Sequence, residues 1–148
     1  MLKNAAANHE GTELSFAPLL DATHPIPVHG IAALICLILG LTQLLMRKGT
    51  TLHRRIGWIW AVLMAIVAFS GLFIWELRLF WLFSPIHLLS LLTLWALARG
   101  ILAARQGRIA DHKRAMKQLY GLALVISGAF TVFPGRIMYP VLFGTHRG

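Results

Sequence analysis

Polar and apolar positions along the chain fall into long blocks, not short alternations. Four stretches carry no charged residue: 28–46, 56–75, 79–98 and 118–135. Each approaches the ~20 residues that a helix needs to cross the hydrocarbon layer. None alternates like a barrel strand, so in lipid the backbone polar groups must be satisfied within helices. The pattern predicts an all-α fold, a four-helix transmembrane bundle. Its spans lie at about 28–46, 56–75, 85–104 and 115–135, within one membrane domain at 28–144. A polar N-terminal tail, 1–27, and a short C-terminal tail, 145–148, flank it.

Proline sharpens these boundaries. It is tolerated in a first helical turn, where its missing N–H has no partner to lose, so Pro27 marks the start of span one. Ser84 before Pro85 reads as the N-cap of span three, which makes Leu79 to Phe83 an interfacial connection. Trp58, Trp75 and Trp81 suit the aromatic belts at the two membrane surfaces. A short apolar patch, Leu14 to Leu20, is expected to lie along the membrane surface.

Composition agrees with the pattern. Hydrophobic residues make up 57% and charged residues 13%, against about 25% charged in an ordinary soluble domain. The net charge of +9 raises nucleic-acid binding as a possibility, but its distribution argues against that reading. Arg47, Lys48, Arg54 and Arg55 lie between the first two spans. Arg99, Arg105, Arg108, Lys113, Arg114 and Lys117 flank or fill the connection between the last two. By the positive-inside rule both basic loops are cytoplasmic. Both termini then lie on the opposite side, with Glu10, Glu13, Asp21 and Glu76. The first 27 residues hold no apolar run that would serve as a signal-peptide core, so no cleavage is expected. The single cysteine, Cys36, excludes an intrachain disulfide and reads as packing.

The chain also repeats itself. Pro27-Val28-His29 opens span one and Pro85-Ile86-His87 opens span three. His53-Arg54-Arg55 precedes span two and His112-Lys113-Arg114 precedes span four. Ser70-Gly71-Leu72-Phe73 and Ser127-Gly128-Ala129-Phe130 follow in the same order. The expectation is a duplicated helical hairpin in parallel orientation, with copies related by a pseudo-twofold axis along the membrane normal.

That repeat sorts the histidines into two levels. His29 and His87 stand at the outer ends of spans one and three, and His53 and His112 at the inner ends of spans two and four. Helix rise separates the levels by about 25 Å. Symmetry mates that face each other across a bundle form the geometry of a bis-imidazole iron site, so b-type haem is the candidate cofactor, with these four residues as iron ligands. Inner propionates would then lie near Arg54, Arg55, Lys113 and Arg114. Each histidine taken singly is also an ordinary interfacial residue.

Arg136, near the outer end of span four, is a candidate binder of a propionate, a lipid phosphate or another anion. Glu76 is its candidate ion-pair partner by depth, and Tyr139 could add a hydroxyl. Gly57 shares a helix face with His53 and would admit a flat ligand, whereas Gly40, Gly71 and Gly128 read as close helix packing. The sequence contains no nucleotide-binding glycine loop, zinc-ligand cysteine set or nucleophile elbow. A stand-alone enzyme is therefore not the expectation.

The segments Phe83-Ser84-Pro85-Ile86-His87-Leu88-Leu89-Ser90-Leu91-Leu92-Thr93-Leu94 and Ser127-Gly128-Ala129-Phe130-Thr131-Val132-Phe133-Pro134-Gly135-Arg136 carry a resemblance. With His53 to Gly57, they resemble a widespread bacterial family of predicted membrane proteins of unknown function, over roughly His24 to Gly144. The resemblance implies a small multi-pass protein of the bacterial inner membrane, in which the charge distribution puts both termini in the periplasm. In architecture alone the chain is similar to dihaem cytochrome b proteins, whose ligands belong to diagonal helix pairs at two depths. That similarity implies a transmembrane electron carrier. The alternatives are an accessory or assembly subunit of a larger membrane complex and a lipid or quinone binder. The partners implied are membrane lipids and either such a complex or further copies of the chain, with no nucleic acid.

Overall fold

Long uncharged runs rich in leucine, isoleucine and alanine favour helix wherever water is scarce. All regular structure among the described residues of the computed structural model is helical. It describes residues 16–22, 24–74, 85–134, 136 and 138–143. The elements are α1 (Ala17–Leu20), α2 (Ile26–Leu45), α3 (Thr51–Gly71), α4 (Pro85–Arg105), α5 (Ile109–Gln118), a π-helical segment (Leu119–Ile126), α6 (Ser127–Thr131) and α7 (Met138–Phe143). Three helices, α2, α3 and α4, are long and apolar enough to cross a membrane.

The fourth apolar stretch differs from the uninterrupted span expected of it. Helix α5, the π segment and α6 follow one another without a break, but the middle is wound more widely than an α-helix. Ser127 marks the end of the wide turns, its hydroxyl donating to the carbonyl of Leu122 five residues back at 3.1 Å.

Both described connections turn on a glycine in the left-handed region, Gly49 at φ +83° and Gly107 at φ +73°. Other residues avoid that region because a Cβ clashes there. After Gly49 the Thr50 hydroxyl caps α3 by accepting from the His53 amide at 3.1 Å. After Gly107 the guanidinium of Arg108 pairs with Asp111 at 2.8 Å and donates to Gln106, closing the turn into α5.

The long helices pack in a ring. Helix α2 lies on α3, α3 on α4, and α4 on α5 and the π segment, which returns to α2. Inside the ring, Cys36, Trp60, Met64, Val67, Leu97 and Leu124 form the apolar core. Trp60 donates its indole N–H to the Cys36 carbonyl at 3.0 Å, and the Tyr120 hydroxyl donates to the Leu37 carbonyl at 3.3 Å. Both rings press on Gly40, where a Cβ would lie 2.5 Å from Tyr120 and 2.9 Å from Trp60. The outer surface is apolar too: Ile38, Val62, Phe69, Leu88, Leu92 and Phe130 are all exposed. A soluble fold would hide these residues, whereas a lipid-facing one has no reason to.

In the described part of the apolar patch before span one, Phe16 and Leu20 are exposed but Leu19 is not. Leu19 is 1% exposed, because α1 packs on α7 and on the start of α2, with the leucine side chain seated against Gly30. Trp75, Glu76, Leu79 to Phe83 with Trp81, Ser84, the tail at 1–15 and the tail at 145–148 lie outside the described residues.

Candidate functional site

One histidine level lies at the starts of α3 and α5. His53 lies in the first turn of α3 and His112 in the first turn of α5. The His112 Nδ1 lies 2.9 Å from the Gly100 carbonyl of α4. A carbonyl only accepts, so Nδ1 carries the proton and Nε2 presents its lone pair. The Nδ1 of His53 is buried and has no hydrogen-bond partner among the described residues. The backbone of His53 is held at both groups: its amide by Thr50, and its carbonyl by the side-chain amide of Gln43 at 2.9 Å. Gly57 faces that same Gln43 amide, at 3.8 Å from where a Cβ would stand.

At the outer level α2, α3 and α4 meet around Gly71. The Nδ1 of His29 lies 3.0 Å from the Ser70 hydroxyl oxygen, and that hydroxyl has backbone carbonyls of its own turn in reach, Ile66 at 2.7 Å and Val67 at 3.1 Å. With its single hydrogen given to a carbonyl, Ser70 accepts from His29 Nδ1–H, leaving His29 Nε2 as the lone-pair nitrogen. A Cβ on Gly71 would lie 2.5 Å from the Ser90 hydroxyl and 3.5 Å from the His29 ring, so glycine lets the two helices approach. His87 and Thr93 lie one turn either side of Ser90, and all three are buried.

The structure therefore seats His53 against Gln43 of α2 and His112 against Gly100 of α4, and brings His29 to the junction that the His87 face of α4 also borders. Arg136 lies in the turn between α6 and α7, its amide bonded to Phe133 and its carbonyl to Tyr139. Its candidate partner Glu76 is outside the described residues. Arg54 and Arg55 share a helix face with exposed Trp58 by i,i+4 and i,i+3 spacing, turned away from His53. The propionate role expected of that pair does not follow from this placement. Gly40 and Gly71 are close-packing positions as read, but Gly128 has nothing within 4 Å of a Cβ.

Sequence reasoning passed over Ser90, Thr93, Gly100 and the Trp60–Tyr120 pair. The first two were accessible from the three-residue spacing that places His87, Ser90 and Thr93 on one helix face. Gly100 acts through its carbonyl, and no residue-type signal announces that.

Among the described residues no three histidines, cysteines or carboxylates come together. An iron held axially by two imidazoles needs only two. The donor chemistry fits such a group: at each level one histidine has Nδ1 anchored, His112 by a carbonyl and His29 by a hydroxyl, which is how ligating histidines are oriented. A model of one protein family, described as "Predicted membrane protein (DUF2306)", matches residues 26–146. No curated protein and no solved structure matches the chain.

Proposed function

Since the chain belongs to a family of predicted membrane proteins of unknown function, we propose that it is a four-span bundle carrying electrons across the bilayer on b-type haem. The observation that carries this reading is the anchored Nδ1 of one histidine at each level, His112 on Gly100 and His29 on Ser70. An anchored Nδ1 fixes the tautomer and raises the basicity of Nε2, the nitrogen that ligates. His53 and His112 would hold the inner haem, and His29 and His87 the outer one. The iron, alternating between ferric and ferrous states, supplies one-electron transfer when bound.

In this reading the helical run from α5 through α6 is the fourth span, supported by the ring of helix contacts that it closes. The basic connections lie in the bacterial cytoplasm and both termini in the periplasm, a placement that rests on the positive-inside rule. Duplication is supported by the glycine turns, with Gly49 four residues before His53 and Gly107 five before His112. The copies diverge at their outer ends, where Gly71 is packed and Gly128 is not. More residues per turn in the π segment shift the phase of everything after it, which rotates Ser127 and Gly128 away from the positions of Ser70 and Gly71. Pyridine haemochrome assay of protein purified from haem-replete cells should return two haems per chain. A colourless protein that copurifies with other membrane subunits would overturn the carrier role in favour of an accessory one.

A further inference from the structure

Independently of the haem reading, we propose that Arg54, Arg55, Trp58 and Arg105 form a binding site for the phosphate of an anionic glycerophospholipid, at the inner ends of α3 and α4. Trp58 is 51% exposed, and the Arg105 guanidinium of the neighbouring helix stands 5.7 Å from its ring centroid. Arg54 and Arg55 precede Trp58 by four and three residues, so they flank the same ring on the α3 side. One guanidinium thus stands over the indole, and two further arginines share its helix face.

Among the described residues no carboxylate pairs with these arginines. The ion pair among the described residues is Arg108 with Asp111, on another connection, and the first turn of α3 contains no acidic residue. Arg54 and Arg55 also lie near the positive end of the α3 dipole, where cations are disfavoured and an anion is favoured. The planar forks of arginine match the paired oxygens of a phosphate.

The surface that continues from the charges selects a lipid over a soluble phosphate. On α3 Trp58 is followed by Val62 and Ile66, and on α4 Arg105 is preceded by Leu102 on its own face; all three aliphatic residues have large exposed areas. Helices α3 and α4 pack together, so these residues border one seam along which an acyl chain can lie. Basic recesses between transmembrane helices on the cytoplasmic side are recognised settings for anionic headgroups.

Native mass spectrometry of the full chain, purified in detergent and titrated with phosphatidylglycerol or phosphatidylcholine of identical acyl chains, tests the site. Phosphatidylglycerol should be retained in preference, and the R54Q/R55Q/R105Q variant should lose affinity by about fivefold per arginine. The R47Q/K48Q variant, which removes equal charge type from the adjacent turn, should keep the preference, and glycerol phosphate should not displace the lipid. Equal retention of phosphatidylcholine, equal loss in R47Q/K48Q, or displacement by glycerol phosphate would each overturn the proposal. If the triple variant loses helical circular dichroism, R105K decides: it keeps the charge without the planar fork. Weakened phosphatidylglycerol retention supports the site and unchanged retention overturns it.

Discussion

The imidazole of His112 donates its Nδ1 proton to the carbonyl of Gly100 at 2.9 Å, tying the first turn of α5 to the body of α4. Gly100 is also where Met116 and Ala115 of α5 press closest, with the Ala115 Cβ 3.2 Å from where a Gly100 Cβ would stand. One position thus sets both the approach of the two helices and the tautomer of the histidine.

Enlarging that position should disturb both. Gly100→Val is expected to destabilise the protein by about 1–3 kcal/mol through overpacking, whereas Gly100→Ala should cost less because the nearest obstacle to its single methyl is the flexible Met116 thioether. Denaturant titration in detergent, followed by circular dichroism, measures both. Equal stability of Gly100→Val and wild type would contradict the packing described.

Two glycines that match in the repeat and a third in the core should respond differently to alanine. Gly40→Ala drives a methyl group into Tyr120 and Trp60 and should cost about 1–3 kcal/mol. Gly71→Ala meets the Ser90 hydroxyl, so Gly71→Ala with Ser90→Ala should be milder than Gly71→Ala alone. Gly128→Ala meets nothing and gains helix propensity, so it should be neutral or stabilising by up to about 1 kcal/mol. The same denaturant titration ranks them, and a Gly128→Ala loss as large as that of Gly40→Ala would contradict the difference in surroundings.

These contrasts mark what was legible in the sequence. Membrane character and helical class followed from uncharged runs such as 28–46 and 118–135, because lipid leaves the backbone no other general solution. The family was legible in the same way, from segments around Pro85-Ile86-His87 and Pro134-Gly135-Arg136. The π segment was not, since Leu119 to Ile126 has the composition of an ordinary α-helix and its winding is a packing outcome. For that reason Ser127 and Gly128 looked equivalent to Ser70 and Gly71 but differ in surroundings. Spacing alone nominated the four histidines. The anchors of His112 and His29 were not legible, because Gly100 contributes a carbonyl and Ser70 is joined to His29 only by the closing of α2 on α3.

The Ser70 anchor has its own test. Ser70→Ala removes the hydroxyl that the His29 Nδ1 meets and should cost about 0.5–1.5 kcal/mol, the net worth of one hydrogen bond. Combining it with His29→Phe should cost less than the two single changes together. A double-mutant cycle in detergent measures the coupling, and strict additivity would contradict a direct bond.

The proposed topology predicts that alkaline phosphatase fused after Gly148 is active and that the same enzyme fused in the Arg47 to Arg55 connection is not. Reversed activities would place the basic connections outside the cytoplasm.

The central claim is most directly tested by the dithionite-reduced minus oxidised absorption spectrum of the purified protein and its histidine variants. The account predicts b-type Soret and α bands in wild type. It predicts loss of about half the amplitude in His53→Ala or His112→Ala, loss of the other half in His29→Ala or His87→Ala, and no band when one variant of each pair is combined. A wild-type protein from haem-replete cells without a Soret band, or bands of full amplitude in all four single variants, would contradict it.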